Sequence, residues 1–338
     1  MNILLSIAGR KTNMVKYFRD ALKGKGKVFA SNKEMTYALS QADGYLVTPT
    51  INDDFYIDIL LQYCKSNDIS VIIPLSDFDL PVLSKNKVIF KQNNISVIVS
   101  NEQVIRICAD KWETYRFLTS IGFKQPKTYI NKKIFKQDIQ NGKILFPIYI
   151  KPRWGTELKA ITQIETLQEL ELFYKKVFME IFNSDIKYAS QENENTCIIM
   201  QETVSGEEFG LDILNDLNGN YVTVIAKRKL VVRAGITNMT EIVDAAAFVE
   251  TAKQISSNLK HVADLDTDCF LTDSGDIIIL EMNARIGRLY SFAHIAGIDL
   301  PGQIIEWLEG NPTSTDLIVP EVGVKGSKES APIVRILF

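Results

Sequence analysis

Short apolar runs alternate with helix-spaced apolar residues through the first hundred positions of the chain. Ile3–Ile7 is such a run, followed by Ala8-Gly9-Arg10. Met14, Val15, Phe18 and Leu22 then recur at the spacing of one helix face. Val28–Ala30 and Tyr45–Val47 read as second and third strands, and Phe55, Ile59, Leu60 and Tyr63 place a helix over Phe55–Cys64. Val71–Pro74 is a buried strand running into Leu75-Ser76-Asp77, and Val97–Val99 closes the series. Strands separated by helices pair in parallel, because each return to the sheet needs a crossover. An α/β domain ending near Cys108 is predicted.

From Asp110 the pattern changes. Asp110-Lys111-Trp112-Glu113 is a helix start in which Asp110 caps and Glu113 completes a capping box. Leu145–Lys151 is a strand interrupted by Pro147 and stopped by Pro152. Leu170, Phe173, Val177 and Ile181 share one face of a helix over Leu167–Phe182, and the polar stretch Ser190–Asn195 reads as a loop. Ile198–Gln201, Phe209–Leu214, Tyr221–Arg228 and Leu230–Arg233 are strands with links short enough for antiparallel pairing, and Asn218-Gly219 is a hairpin turn signal. A helix follows over Phe248–Leu259. Cys269–Thr272 and Ile277–Met282 form a hairpin across Asp273-Ser274-Gly275-Asp276. The last 18 residues, from Glu321, carry Gly, Lys and Ser before a short apolar end and read as a partly mobile tail. This second part of the chain is α+β.

Composition narrows the function. At 338 residues there is room for about two domains. The 38 Lys and Arg against 41 Asp and Glu leave a net charge of −3, so no general basic field points to nucleic acid. No apolar run approaches the ~20 residues of a bilayer span, and MNILLSIAGR lacks the basic start of a secretion signal. Cys64, Cys108, Cys197 and Cys269 are far apart and the only histidines are His261 and His294, which disfavours a zinc site or a disulfide framework. A cytoplasmic protein without nucleic-acid or membrane partners is expected.

The hairpin ending in LEMNAR carries the most chemistry. Glu281 and Asn283 are two apart on a strand and face the same way, as do Asp266 and Asp268 on its partner. Carboxylate and amide oxygens converging on one face suit a hard divalent ion that shares its shell with phosphates. Arg285 and Arg288 follow closely enough to hold phosphate oxygens. Exposed polar residues alternating with a core would give the same pattern. Lys151 ends a strand before Gly155 and Thr156, and Lys111 lies in the first turn of a helix, where a cation opposes the helix dipole unless an anion is near. In QETVSGEEFGLD, Gln201 and Glu202 end one strand and Glu208 opens the next. Carboxylates so placed can accept bonds from an amino group and from hydroxyls, although glutamates on a turn are often merely solvated.

In this order the segments resemble the ATP-grasp superfamily, specifically its carboxylate–amine ligase-like members similar to the carbamoyl-phosphate synthetase large-subunit core. ILLSIAGRKTNMVKYF and IIPLSDFDLPVLS are similar to parts of that family's Rossmann-like pre-ATP-grasp domain. ADKWETYRFLTSIGFKQP, FPIYIKPRWGT, QETVSGEEF and LEMNARIGR resemble its nucleotide and metal segments. The resemblance implies a pre-ATP-grasp domain over 1–108, a small subdomain over 109–185, a nucleotide and metal subdomain over 186–320 and a tail over 321–338. It implies ATP binding by Lys111, Lys151, Gly155, Thr156, Gln201, Glu202, Val204 and Glu208. Mg²⁺, with Mn²⁺ as an alternative, would sit on Asp268, Glu281 and Asn283, with Asp266 as a substitute for Asp268. Arg285, Arg288 and Arg233 are the implied catalytic arginines, and His294 would lie on the substrate side.

The activity implied is ADP-forming ligation. The γ-phosphoryl group of ATP passes to a small-molecule carboxylate, and an amine or amino acid attacks the acylphosphate to give an amide. Two other readings stay open: a kinase-like enzyme that releases the phosphorylated product, and a nucleotide-binding module without turnover. A homodimer is also admitted. One departure stands out, because the family's mobile Gly- and Ser-rich loop here reads RWGTELKAI. Leu158 and Ala160 replace flexible positions, leaving fewer backbone N–H groups to meet phosphates, and Arg153 or Lys159 would have to compensate by charge.

Overall fold

A computed structural model of the chain describes residues 1–155, 160–233 and 235–329. Five strands, β1 (Asn2–Ser6), β2 (Val28–Asn32), β3 (Gly44–Val47), β4 (Ile69–Pro74) and β5 (Ser96–Val97), form a parallel sheet in the order β3-β2-β1-β4-β5. This is the sheet expected from the alternating pattern. The central β1 is almost wholly buried because helices cover both its faces.

Four strands, β6 (Thr128–Tyr129), β7 (Ile148–Pro152), β8 (Thr162–Ile164) and β9 (Ile198–Glu202), make a small antiparallel sheet in the order β6-β9-β7-β8. It has its own core, in which Ile148, Ile150, Ile198 and Met200 meet Leu170, Val177 and Ile181 of the helix Leu167–Phe182. Because β9 pairs with β7, the expected boundary at residue 185 falls too early: the small subdomain continues to Glu202. The stretch expected as a loop over Ser190–Asn195 instead winds through the helical turns Lys187–Ser190 and Gln191–Thr196.

The large sheet holds β10 (Glu207–Asn215), β11 (Tyr221–Arg233), β12 (Ile236–Val243), β13 (Asp264–Leu271), β14 (Ile277–Asn283) and β15 (Lys325–Ser327), in the order β14-β13-β10-β11-β12-β15. The two strands expected over 221–233 are one, with register shifts after Lys229 that break its apolar alternation. Within the tail, β15 pairs with β12. Residues 330–338 lie outside the described part.

The two larger sheets are not independent. Leu4, Leu60, Ile72 and Leu83 of the N-terminal domain share one core with Phe209, Leu211, Leu265 and Met282 of the large sheet. Val15 and Phe18 share another with Tyr290, Leu300 and Ile304.

Candidate nucleotide and metal site

In β10 the two-residue period puts Phe209, Leu211 and Ile213 into the core and turns Glu208, Gly210 and Asp212 to the other face. Register extends that polar face across the sheet. Gly210 pairs with Lys227 of β11 and Asp268 of β13, and Asp212 pairs with Asp266. Asp268 in turn pairs with Glu281 of β14, and Asp266 with Asn283. The expected metal ligands therefore do share one face. Gly210 is small for a reason: a Cβ there would lie 3.0 Å from Leu289 Cδ1 and 3.6 Å from Lys227 Cε.

Lys111 reaches this face from the small subdomain side. Asp110 caps the helix Lys111–Ser120 by accepting from the amides of Trp112 at 3.0 Å and Glu113 at 3.4 Å. Arg153 donates to both Asp110 oxygens, at 2.8 and 2.7 Å, and its carbonyl accepts from the Lys111 amide at 3.0 Å. The helix start is thus strapped to the end of β7, which also carries Lys151. The expected capping box is absent, since the Glu113 carboxylate takes Arg116 at 3.1 Å and the Asp110 amide donates to the Arg106 carbonyl. Arg153 is committed to Asp110 and so is not spare charge for phosphates. Thr156, Leu158 and Lys159 lie outside the described residues.

The Lys111 ammonium donates to the Gly155 carbonyl and lies 3.9 Å from Glu281 Oε1. Glu281 is the anion that a cation at a helix start required. Burial lowers the Lys151 pKa to about 8, with the Lys111 charge adding to the effect and Glu281 opposing it. Two lysines thus converge on the metal-ligand end of the hairpin.

A third lysine, absent from the sequence-based expectations, completes the arrangement. Lys229 of β11 is 6% exposed, and its ammonium lies 2.6 Å from both Glu208 Oε1 and Asp268 Oδ1. Burial alone would lower the Lys229 pKa, but Asp268 and Glu208 outweigh it and raise it. Burial lifts Asp268 to about 6, although Lys229 pulls the other way. The sequence signal for Lys229 is its two-residue spacing from Lys227, which puts both on one strand face up to the register shift that follows Lys229.

Farther along the same face the charges lock the fold. Arg285 is 5% exposed and donates to Asp266 Oδ2 at 2.6 Å and to Asp77 Oδ2 at 3.1 and 2.9 Å. Burial works against the Asp266 carboxylate, yet Arg285 and Lys227 hold its pKa below the usual range. Asp266 is thus paired with Arg285 through Oδ2, and Arg285 joins the N-terminal domain to the large sheet. The Lys11 ammonium, bonded to the Leu75 carbonyl, is brought to a pKa of about 7 by burial and by Arg285, against the pull of Asp77. Lys227 and Asp212 form a buried ion pair. Asp264 accepts from the Gly287 amide at 2.9 Å, and burial with the nearby Asp212 raises its pKa well above the ordinary value. None of Lys11, Asp77, Asp212, Lys227 and Asp264 was among the expected residues.

Other expected residues are placed differently. Gln201 is buried and donates to Thr128 Oγ1 at 2.9 Å, and a Glu202 oxygen accepts from the Lys127 amide at 3.1 Å. Val204 follows β9 as a half-buried residue of the connector. Arg233 and Arg288 are exposed. His294 is a packing residue: its ring stacks on Tyr17 with centroids 3.6 Å apart, and Nδ1 lies 3.0 Å from both the Tyr290 hydroxyl and the Ile298 carbonyl.

Asp268, Glu281 and Asn283 offer only oxygen donors, which suits a hard divalent ion. Among the described residues no three His, Cys, Asp or Glu side chains stand as a metal cage of their own. The set fits an ion that takes its remaining ligands from phosphates and water. Also among the described residues, no helix is long and apolar enough to cross a membrane.

Comparison with known proteins agrees with this architecture. Residues 3–98 match the PylC-like N-terminal domain model, and residues 108–288 match the ATP-grasp domain model. The carbamoyl phosphate synthase large chain of Thermoanaerobacter sp. (strain X514) is 22% identical over 243 residues, covering 68% of this chain. The present chain spans about a fifth of that relative's length, 21%. A biotin carboxylase from Campylobacter jejuni, solved with a β,γ-ATP ligand, superposes with a TM-score of 0.74 at 16% identity over 96% of this chain and 73% of its own. An L-amino acid ligase from Bacillus licheniformis gives 0.70 at 17% identity, covering 94% and 77%. With its ATP-grasp match spanning more than half of its length, from the first lysine through the acidic hairpin, the chain belongs to the ATP-grasp family of enzymes.

Proposed function

We propose that the protein is an ATP-dependent carboxylate–amine ligase that forms an amide through an acylphosphate and releases ADP and phosphate. The observation that carries this reading is the meeting of Lys111 and Lys151 with Glu281 and Asp268 at one end of the polar face. Phosphoryl transfer asks a protein for position and charge rather than for a nucleophile. Lys111 and Lys151 supply fixed positive charge toward phosphate oxygens. Glu202 and Glu208 flank the connector between the sheets, where they accept from an adenine amino group and ribose hydroxyls, with the Val204 backbone beside them. Asp268, Glu281 and Asn283 hold Mg²⁺, with Mn²⁺ as the alternative ion. When bound, that ion neutralises charge on the transferred group. Arg288 and Arg233, both exposed, are left to meet the substrate carboxylate or the transferred group, whereas Arg285 positions the N-terminal loop through Asp77. The partners are a small carboxylic acid and an amine.

The test is ADP release with a panel of carboxylic acids and amino acids. ADP formation that requires both an acid and an amine supports the ligase. Phosphorylated acid formed without an amine would replace it with the kinase-like reading, and nucleotide binding without ADP release would leave an inert module. Glu281→Gln keeps size but removes a charge, so it is expected to abolish turnover and to remove the Mg²⁺ dependence of nucleotide affinity. A Mg²⁺ effect that survives undiminished in this variant would sink the metal assignment.

A further inference from the structure

Each carboxylate of the acidic pair has its own lysine. Lys111 lies 3.9 Å from Glu281, and Lys229 lies 2.6 Å from Asp268. The two contacts differ in kind. Lys111 also donates to a backbone carbonyl and touches Glu281 only at long range. Lys229 divides one ammonium between Glu208 and Asp268, the two acids with separate roles in the reading above, and is almost completely shielded from water. The oxygen it holds on Asp268 is Oδ1. That contact leaves Oδ2 open, so a divalent ion reaching Asp268 meets a carboxylate whose charge the ammonium already neutralises.

We propose that Lys229 is the resident counter-cation of the metal site, which competes with a divalent ion for the charge of Asp268 and gives way when a nucleotide's phosphates offer the ammonium a new partner. This deepens the nucleotide reading and rests on it. The polar face holds Glu208, Asp268 and Glu281 close together, and half-buried carboxylates crowded without a cation repel one another. Lys229 removes that repulsion for two of the three. It therefore also lowers the attraction of the site for a metal that arrives alone. A nucleotide changes the balance, because its phosphates offer the displaced ammonium a charge-assisted bond in place of the lost one. An open depression of about 500 Å³, lined by Gly206, Glu207, Glu208, Arg228, Lys229 and Leu230, adjoins this part of the face. Metal binding is thus conditional on nucleotide through one side chain.

The experiment is Mn²⁺ binding followed by electron paramagnetic resonance, with and without ADP, on the full chain and on Lys229→Met. The unaltered chain is expected to bind Mn²⁺ weakly alone and tightly with ADP. Lys229→Met is expected to bind Mn²⁺ alone at least about tenfold more tightly, the scale of one charge-assisted bond, and to gain less from ADP. An unchanged Mn²⁺ affinity without nucleotide in Lys229→Met would overturn the proposal and leave Lys229 a structural ion pair, visible only as lost stability. Tight Mn²⁺ binding by the unaltered chain alone would overturn it as well, whether or not the variant folds. Lys229→Gln, which keeps polarity without charge, is expected to follow Lys229→Met. If neither the chain nor the variants bind ADP with Mn²⁺, the nucleotide reading itself fails, an outcome separate from a failure of the counter-cation alone.

Discussion

At Lys151, burial and Lys111 hold the ammonium pKa at about 8, against 10.5 for a free lysine. Between those values the folded chain binds fewer protons than the unfolded one. The depressed lysine therefore weakens the fold below about pH 8, and that penalty fades as the pH rises toward 10.5. Nucleotide phosphates favour the protonated form, so binding above pH 8 must draw in a proton. Affinity for ADP is expected to fall as the pH rises past about 8, approaching about tenfold per unit. Calorimetry in buffers of different ionisation enthalpy would read the proton directly. Lys151→Arg should flatten the profile, and a flat profile for the unaltered chain would remove Lys151 from the phosphate site. Lys111→Ala and Lys151→Ala each remove a charge-assisted bond worth about 1.5–3 kcal/mol. Each is expected to weaken nucleotide binding about ten- to hundredfold, while circular dichroism stays unchanged.

A helix start and a strand end meet at Asp110. One carboxylate caps the helix that carries Lys111 and binds the arginine that follows β7, two residues after Lys151. Both lysines depend on that strap for position. Asp110→Ala removes the cap, worth about 1 kcal/mol, and leaves the Arg153 guanidinium, 12% exposed, without its partner. The expected result is a stability loss of about 2–4 kcal/mol in urea unfolding, together with a loss of nucleotide affinity although residue 110 itself need not touch the nucleotide. Arg153→Met should reproduce part of both effects. Normal nucleotide affinity in a folded Asp110→Ala protein would show that the strap does not set the lysines.

Across the whole molecule, Arg285 ties the N-terminal domain to the large sheet through Asp77 and Asp266. Breaking a buried pair from one side costs about 3–5 kcal/mol, because a desolvated charge is left behind. Arg285→Met strands two carboxylates and is expected to cost about that much. Asp77→Asn should cost less, since Arg285 keeps Asp266. Denaturant titrations would rank the two. Equal losses would mean that Asp77 carries most of the energy and that Asp266 is held by Lys227 instead. The shared cores predict that the N-terminal domain and the large sheet unfold in one transition.

The order of elements was legible in the chain because hydrophobic period reports local geometry. Met14 to Leu22 could only be one face of a helix, and Glu281 and Asn283 could only face one way on a strand. The same local logic brought Lys111, Lys151, Glu208, Asp268 and Glu281 forward as site residues. What local pattern cannot carry is register and partnership. Whether β9 closed the small sheet or opened the large one depended on pairing with β7, 46 residues or more away in the chain. Arg285 and Asp77 are separated by 208 residues, so nothing near either one announces the other. Lys229 falls at a bulge that interrupts its strand's alternation, and Arg153 looked like spare charge until Asp110 claimed it. Side-chain type and spacing determined which residues could do chemistry. Only the tertiary structure decided which of their charges remained free, because a buried charge is settled by whichever partner the fold brings to it.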